Sequence, residues 1–194
     1  MFRHSHPVRP AAGYRHLFAA MLAVAGTTAR ADTALDEIAA TPTDGPVTVY
    51  YPSAAPAQPV RRGRFTLQLA PQAAPVAGNG RLVVISHGSG GAPWVHADLA
   101  GALVRAGFVV AMPEHRADNA KDVSDPGPDS WTRRPAEVSR AIDAIGADPR
   151  FAALLRLDKV GVYGMSAGGH TALSLARSSG SCRTNLSLGD AGLA

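Results

Sequence analysis

The sequence predicts an α/β protein built on a mostly parallel open sheet flanked by helices. Three observations carry this prediction. From residue 81 onward, short β-branched runs alternate with segments of helical period, the pattern of strand–helix–strand units. Each of those strands ends in a glycine-rich or charged cluster: "HGSGG", "PEHR", "GMSAG" and "LGD". The 194 residues are 46% apolar, ordinary globular composition that excludes global disorder and allows a sizeable core.

The chain opens with Arg3, Arg9 and Arg15, followed by the apolar run "LFAAMLAVAG" at residues 17–26, which is too short to span a bilayer. Ala29 and Ala31 then supply the small residues of a signal-peptidase cut. Residues 1–31 read as a secretory signal peptide, with Asp32 as the mature N-terminus and residues 32–194 as one domain. No twin arginine precedes the apolar run, and no cysteine stands at the cut to carry a lipid. The expected location is the periplasm or the exterior, with no stable membrane anchor. Without the leader the chain carries 15 basic and 15 acidic residues, so the excess charge belongs to the leader and nucleic acid is not an expected partner. Arginine outnumbers lysine 17 to 2, a bias that points to a GC-rich bacterial source. The single cysteine, Cys182, cannot form an internal disulfide. Oligomeric state has no signal in the sequence.

Residues 32–46 look polar and irregular. "VTVYYP" (47–52) is a strand stopped by proline, and "SAAPAQPVRRG" (53–63) a Pro/Ala loop. "RFTLQLAP" (64–71) alternates Phe65, Leu67 and Leu69 on one face of a half-buried strand. "RLVVIS" (81–86) is a buried strand. The helix "VHADLAGALVRAG" (95–107) should bury Val95, Leu99, Ala102, Leu103 and Ala106, with Gly107 past its end. "FVVAMP" (108–113) is the next strand. After a loop with five acids and Trp131, "RPAEVSRAIDAIG" (134–146) starts a helix with Pro135 in its first turn and Val138, Ile142 and Ile145 inward. "DKVGVYG" is a strand, "SAGGHTALSLARS" a helix, and "NLSLGD" a short strand. In such sheets the chemistry gathers at the C-terminal strand ends.

Gly164-Met165-Ser166-Ala167-Gly168 fits G-x-S-x-G between a strand and a helix, the context in which a sharp turn lifts a serine hydroxyl above the sheet edge. The bare pattern is weak in a chain with 20 glycines; its strand-to-helix setting makes it specific. The helix start beneath Ser166 favours developing negative charge. His87-Gly88-Ser89-Gly90-Gly91 follows an earlier strand and aims the Ser89 amide at a substrate oxygen, with Ala167 as the second donor. A phosphate-cradling loop would need a lysine after its last glycine, and none follows.

"VVISHGSGG", "HADLAGALVRAGFVVAMPEHR" and "VGVYGMSAGG" resemble, in order and spacing, the α/β-hydrolases, and within them the dienelactone hydrolase-like and platelet-activating-factor acetylhydrolase-like serine esterases. The resemblance covers roughly residues 47–176. It implies an α/β-hydrolase fold, a small-molecule ester substrate, no cofactor, and a triad in chain order serine, acid, histidine. On this implication Ser166 is the nucleophile, Asp190 stands where the acid would, Ser89 and Ala167 form the oxyanion hole, and His87, Gly88, Gly164 and Gly168 support the two turns. The family's sheet continues beyond Asp190, so the C-terminal strands are expected to be missing here.

The family histidine has no counterpart. After Ser166 only His170 occurs, on the same helix, where a histidine is ordinarily a packing or surface residue. His115, in "EHR" at a strand end, is the outside candidate for a surrogate base. Activity is therefore expected to be impaired, and a non-catalytic ligand-binding protein is the rival reading. Asp118, Asp122, Asp125 and Asp129 supply oxygens without calcium-loop spacing, and no zinc pattern or dinucleotide fingerprint is present, so no metal is expected.

Overall fold

The computed structural model describes residues 31–178. Seven strands form one sheet: β1 (Asp32–Ile38), β2 (Val47–Ser53), β3 (Gln58–Arg62), β4 (Phe65–Pro71), β5 (Leu82–Ser86), β6 (Val109–Pro113) and β7 (Val160–Gly164), in the order β3-β4-β1-β2-β6-β5-β7. Helices α1 (Ala97–Arg105), α2 (Pro128–Ala147) and α3 (Ala167–Ser178) follow β5, β6 and β7. β5 pairs in parallel with both β6 and β7, and β1 with β4, while β2 and β3 run against their neighbours. Five of the seven strands thus point the same way, and the ends of β5, β6 and β7 open onto one edge.

The period-2 alternation of each strand sorts its side chains between two apolar layers. Val49, Tyr51, Leu82, Val84, Val109 and Ala111 face α2 with Val138, Ala141, Ile145 and Phe151. Tyr50, Ile85, Val110 and Met112 face α1 with Ala100 and Val104. Phe151 is fully buried and meets Tyr51 edge-on at 5.1 Å between ring centres.

Four sequence expectations need correction. Residues 32–38 form a strand rather than an irregular lead-in: Ala34 and Leu35 are buried, Asp36 pairs with Arg150, and all seven residues stand in register with β2. Asp32, Asp36 and Glu37 mask the strand signal by interrupting its apolar run. The Pro/Ala segment contains β3, held by pairing with β4 and by Val60, which packs half-buried against the core. α1 begins only at Ala97, after a 3-10 turn at Pro93–His96, so Val95 is exposed and the buried face is Ala100, Gly101 and Val104. Small residues there let the helix approach the sheet closely. α2 begins at Pro128, following Gly127 at φ 100°, which leaves Pro135 inside the helix. An interior proline costs about 3 kcal/mol; the longer helix in exchange brings Ser130 and Arg134 onto its buried face.

Truncating Phe151→Ala should lower unfolding free energy by about 3–5 kcal/mol, read as a lower urea midpoint at unchanged slope.

Candidate active site

β7 ends at Gly164, and after Met165 and Ser166 the chain enters α3. Ser166 sits at φ 54°, in the left-handed region that side chains rarely adopt, and it is exposed. Holding a non-glycine residue there costs on the order of 1–3 kcal/mol. The flanking glycines allow the turn. A Cβ on Gly164 would stand 1.9 Å from the Gly168 carbonyl oxygen, and a Cβ on Gly168 would stand 2.0 Å from that of Ser86. The first amides of α3 close on the turn: Gly168 N–H donates to Met165 O at 2.9 Å and Gly169 N–H to Ser166 O at 2.8 Å. The Ala167 amide, first in the helix, has no preceding helical carbonyl to bond.

The glycine loop after β5 packs against this turn. A Cβ on Gly88 would stand 3.4 Å from the Ser166 Cβ and from Met165 O. Gly91 N–H closes a tight turn on Gly88 O at 3.0 Å. The Ser89 hydroxyl donates to Asp118 at 2.6 Å, and the Gly90 amide donates to the same carboxylate oxygen at 2.9 Å. The Ser89 amide has no acceptor among the described residues. Of the two amides expected from the sequence, Ala167 directly follows Ser166, and Ser89 follows Gly88, which packs against Ser166; no acceptor is shown for either among the described residues.

Asp118 anchors the loop from below. Its second oxygen accepts Ser130 Oγ–H at 2.6 Å and Arg134 Nη2–H at 2.7 Å. Arg134 also donates from Nη1 to His87 O at 2.6 Å and from Nε to Ser130 Oγ at 3.0 Å. Both Asp118 and Arg134 are fully buried. Burial alone would raise the Asp118 pKa, but the hydrogen bonds from Ser130, Ser89 and Gly90, with the Arg134 charge, hold it down at about 2.

A second buried network backs the first. His115 Nδ1 lies 2.6 Å from Glu137 Oε2, and its Nε2 lies 2.7 Å from Ser86 Oγ. The His115 backbone N–H donates to His87 Nε2 at 3.2 Å, which assigns the His87 proton to Nδ1 and its donation to Gly88 O at 2.7 Å. Burial pushes both imidazoles toward the neutral form, His87 down to about 3. This corrects the expectation for His115: it is fully buried with both ring nitrogens engaged, so it is not a base for Ser166. Serine, histidine and carboxylate are linked here as in a hydrolytic triad, but Ser86 is itself fully buried, and the array ties β5, β6 and α2 together.

The structure thus brings together Ser166, Ala167, Ser89, His87, Gly88, Gly164 and Gly168. Asp190 and Cys182 lie outside the described residues. His170 is exposed on α3, its ring 5.7 Å from that of Trp131, which places Trp131 beside the Ser166 turn. The aspartates of the 114–127 excursion do not converge on a common point: Asp118 is committed to Arg134, and Asp125 to Arg133. Sequence reasoning missed Ser130, Arg134 and Glu137, and read Asp118 only as one of four loop acids without calcium-loop spacing. The available signal was the i, i+4, i+8 spacing of Ser130, Arg134 and Val138 on one helix face, which reads as solvated until the helix is known to start at Pro128.

No family model matches the chain, and no curated protein matches it. Among solved structures it is similar to a ferulic acid esterase from Streptomyces cinnamoneus, with a TM-score of 0.63 and 20% identity. The match covers 80% of this chain and 58% of that one, so the chain spans little more than half the length of that structure. The likeness is one of fold: this is an α/β-hydrolase-like architecture.

Two predictions follow from the geometry. Gly168→Ala should destabilise the protein by about 3 kcal/mol or more, because its methyl group meets backbone at Ser86; urea unfolding reads this. The buried histidines bind protons more readily unfolded than folded, so their contribution to stability is full above pH 6.5 and is lost as pH falls. For His87 the loss runs down to about pH 3 at about 1.4 kcal/mol per pH unit. Urea midpoints between pH 7 and pH 5 should fall, and fall less in His87→Gln.

Proposed function

We propose that this protein is an exported serine hydrolase that cleaves carboxylic esters through an acyl-enzyme on Ser166. The observation that carries this reading is the Ser166 backbone, an exposed serine at φ 54° between glycines that cannot be enlarged. Strain of this kind persists only where the surroundings enforce it, and it concentrates at functional sites. The fold likeness to a ferulic acid esterase supports a small-molecule ester as the substrate class. The sequence motifs support the narrower kinship with dienelactone hydrolase-like esterases. The leader-like residues 1–31, with β1 opening at Asp32, support action in the periplasm or outside the cell.

In this reading the Ser166 hydroxyl gives its proton to a base as Oγ attacks the acyl carbon. The carbonyl oxygen becomes an oxyanion that accepts the Ser89 and Ala167 N–H bonds. The ester C–O bond breaks, and the alcohol leaves with the proton from the base. Water then attacks the acyl-enzyme, releasing the acid and restoring Ser166. Asp190 is assigned the role of orienting the base. None of His87, His115 and His170 supplies the base: His87 and His115 are buried and engaged, and His170 packs on Trp131. Turnover by these residues is therefore impaired, since loss of one triad member leaves only oxyanion and binding effects. The same observation favours a second reading, a binding protein that holds a small ligand in the cleft without turning it over.

A fluorophosphonate probe separates the two. The ester hydrolase reading expects covalent label on Ser166, located by mass spectrometry and abolished in Ser166→Ala. Ser166→Gly should also lose the label while gaining about 1 kcal/mol of stability from relief of the turn. A folded protein that takes no label overturns the nucleophile assignment in favour of binding.

A further inference from the structure

A cavity of about 610 Å³, whose lining does not include Ser166, is lined by Thr43, Arg116, Ala117, Asp125, Arg133 and Arg140. It opens at the same sheet edge as Ser166, but beside β6 and the β1–β2 turn. Two strand spacings, about 10 Å, separate β6 from β7.

Three features make it a receptor for negative charge. First, the charges do not cancel. Arg133 pairs with Asp125 at 2.5 Å and Arg140 grips Asp44 at 2.6 Å, whereas Arg116 has no carboxylate within ion-pair distance among the described residues. The acid acting on Arg116 from nearby is the exposed Asp122, whose carboxylate is bonded to Ser124. Second, the guanidinium groups are already positioned. Arg116 donates to Pro42 O at 2.8 Å, and Arg133 reaches Arg116 O at 3.4 Å. Side chains ordered in advance lose less entropy on binding. Third, donors outnumber acceptors. Each guanidinium carries five N–H bonds in a planar fork suited to carboxylate and phosphate oxygens, and only part of that set is used. The wall between Arg116 and Asp118 is Ala117 at φ 57°, strained backbone of the kind seen at Ser166.

We infer that this cavity is a binding site for an oxyanion, a carboxylate or phosphate group carried by a small molecule, with Arg116 and Arg133 as its principal donors. The site is independent of the chemistry at Ser166.

The test is calorimetric titration of the full chain with inorganic phosphate and, separately, with succinate, at pH 7 and with ionic strength held constant by sodium chloride. Saturable one-site binding of at least one anion is expected. Arg116→Gln at an exposed position and Arg133→Gln at a half-buried one, both expected to keep the wild-type circular dichroism, should each weaken it tenfold or more while leaving fluorophosphonate labelling of Ser166 unchanged. Binding of phosphate alone assigns a phosphoryl ligand, and binding of succinate alone a carboxylate. The inference is overturned if neither anion titrates above the salt background, or if both variants bind as the wild type does.

Discussion

The buried pair of Arg134 and Asp118 is the interaction on which the site depends. A buried charge pair adds little to stability relative to an apolar pair, because both ions lose their water. Its value lies in what it specifies once made. Asp118 distributes four hydrogen bonds among Ser89, Gly90, Ser130 and Arg134, and Arg134 reaches on to the His87 carbonyl. One carboxylate thereby fixes the glycine loop after β5, the excursion after β6 and the first turns of α2. A glycine-rich loop has little intrinsic rigidity, so the direction of its amides has to be imposed from outside, and this pair imposes it.

The same logic explains the strained serine. The Ser166 turn would relax if its neighbours could move, and both are blocked by backbone. The Gly168 position is closed by the end of β5, and the Gly164 position by α3 itself. β5 is in turn held through Ser86 to His115 and so to Glu137 of α2. The strain at Ser166 is maintained by the two networks together, one under the loop and one under the strand.

Much of this was legible in the sequence because the relevant signals are local. The runs "LVVIS", "FVVAMP" and "KVGVY" state their burial by composition, and G-x-S-x-G states its turn by the two glycines that sterics require. β1 was not legible, because Asp32, Asp36 and Glu37 look like solvent-exposed loop and only pairing with β2 makes the segment a strand. The start of α2 was hidden by Pro135, which normally opens a helix but here lies within one. The pairing of Arg134 with Asp118 was not legible, because a charged residue is buried only when a partner is waiting, and a partner sixteen positions away leaves no periodic trace.

The position of the buried histidines bears on where a base for Ser166 can stand. A general base needs access to the serine proton and an affinity for it near working pH. Burial pushes His87 and His115 the other way, toward the neutral form. The β5 and β6 side of Ser166 is also filled, by Gly88 and the loop it belongs to. The open side is the one beyond β7, where Tyr163, Met165 and Leu173 are exposed among the described residues. In the proposed reaction a base for Ser166 would approach from there, over the edge of β7 that is unpaired among the described residues. Under the proposed function, the flank of Ser166 that carries the glycine loop and the flank open to a base are thus opposite sides of one serine, and the described residues build the first.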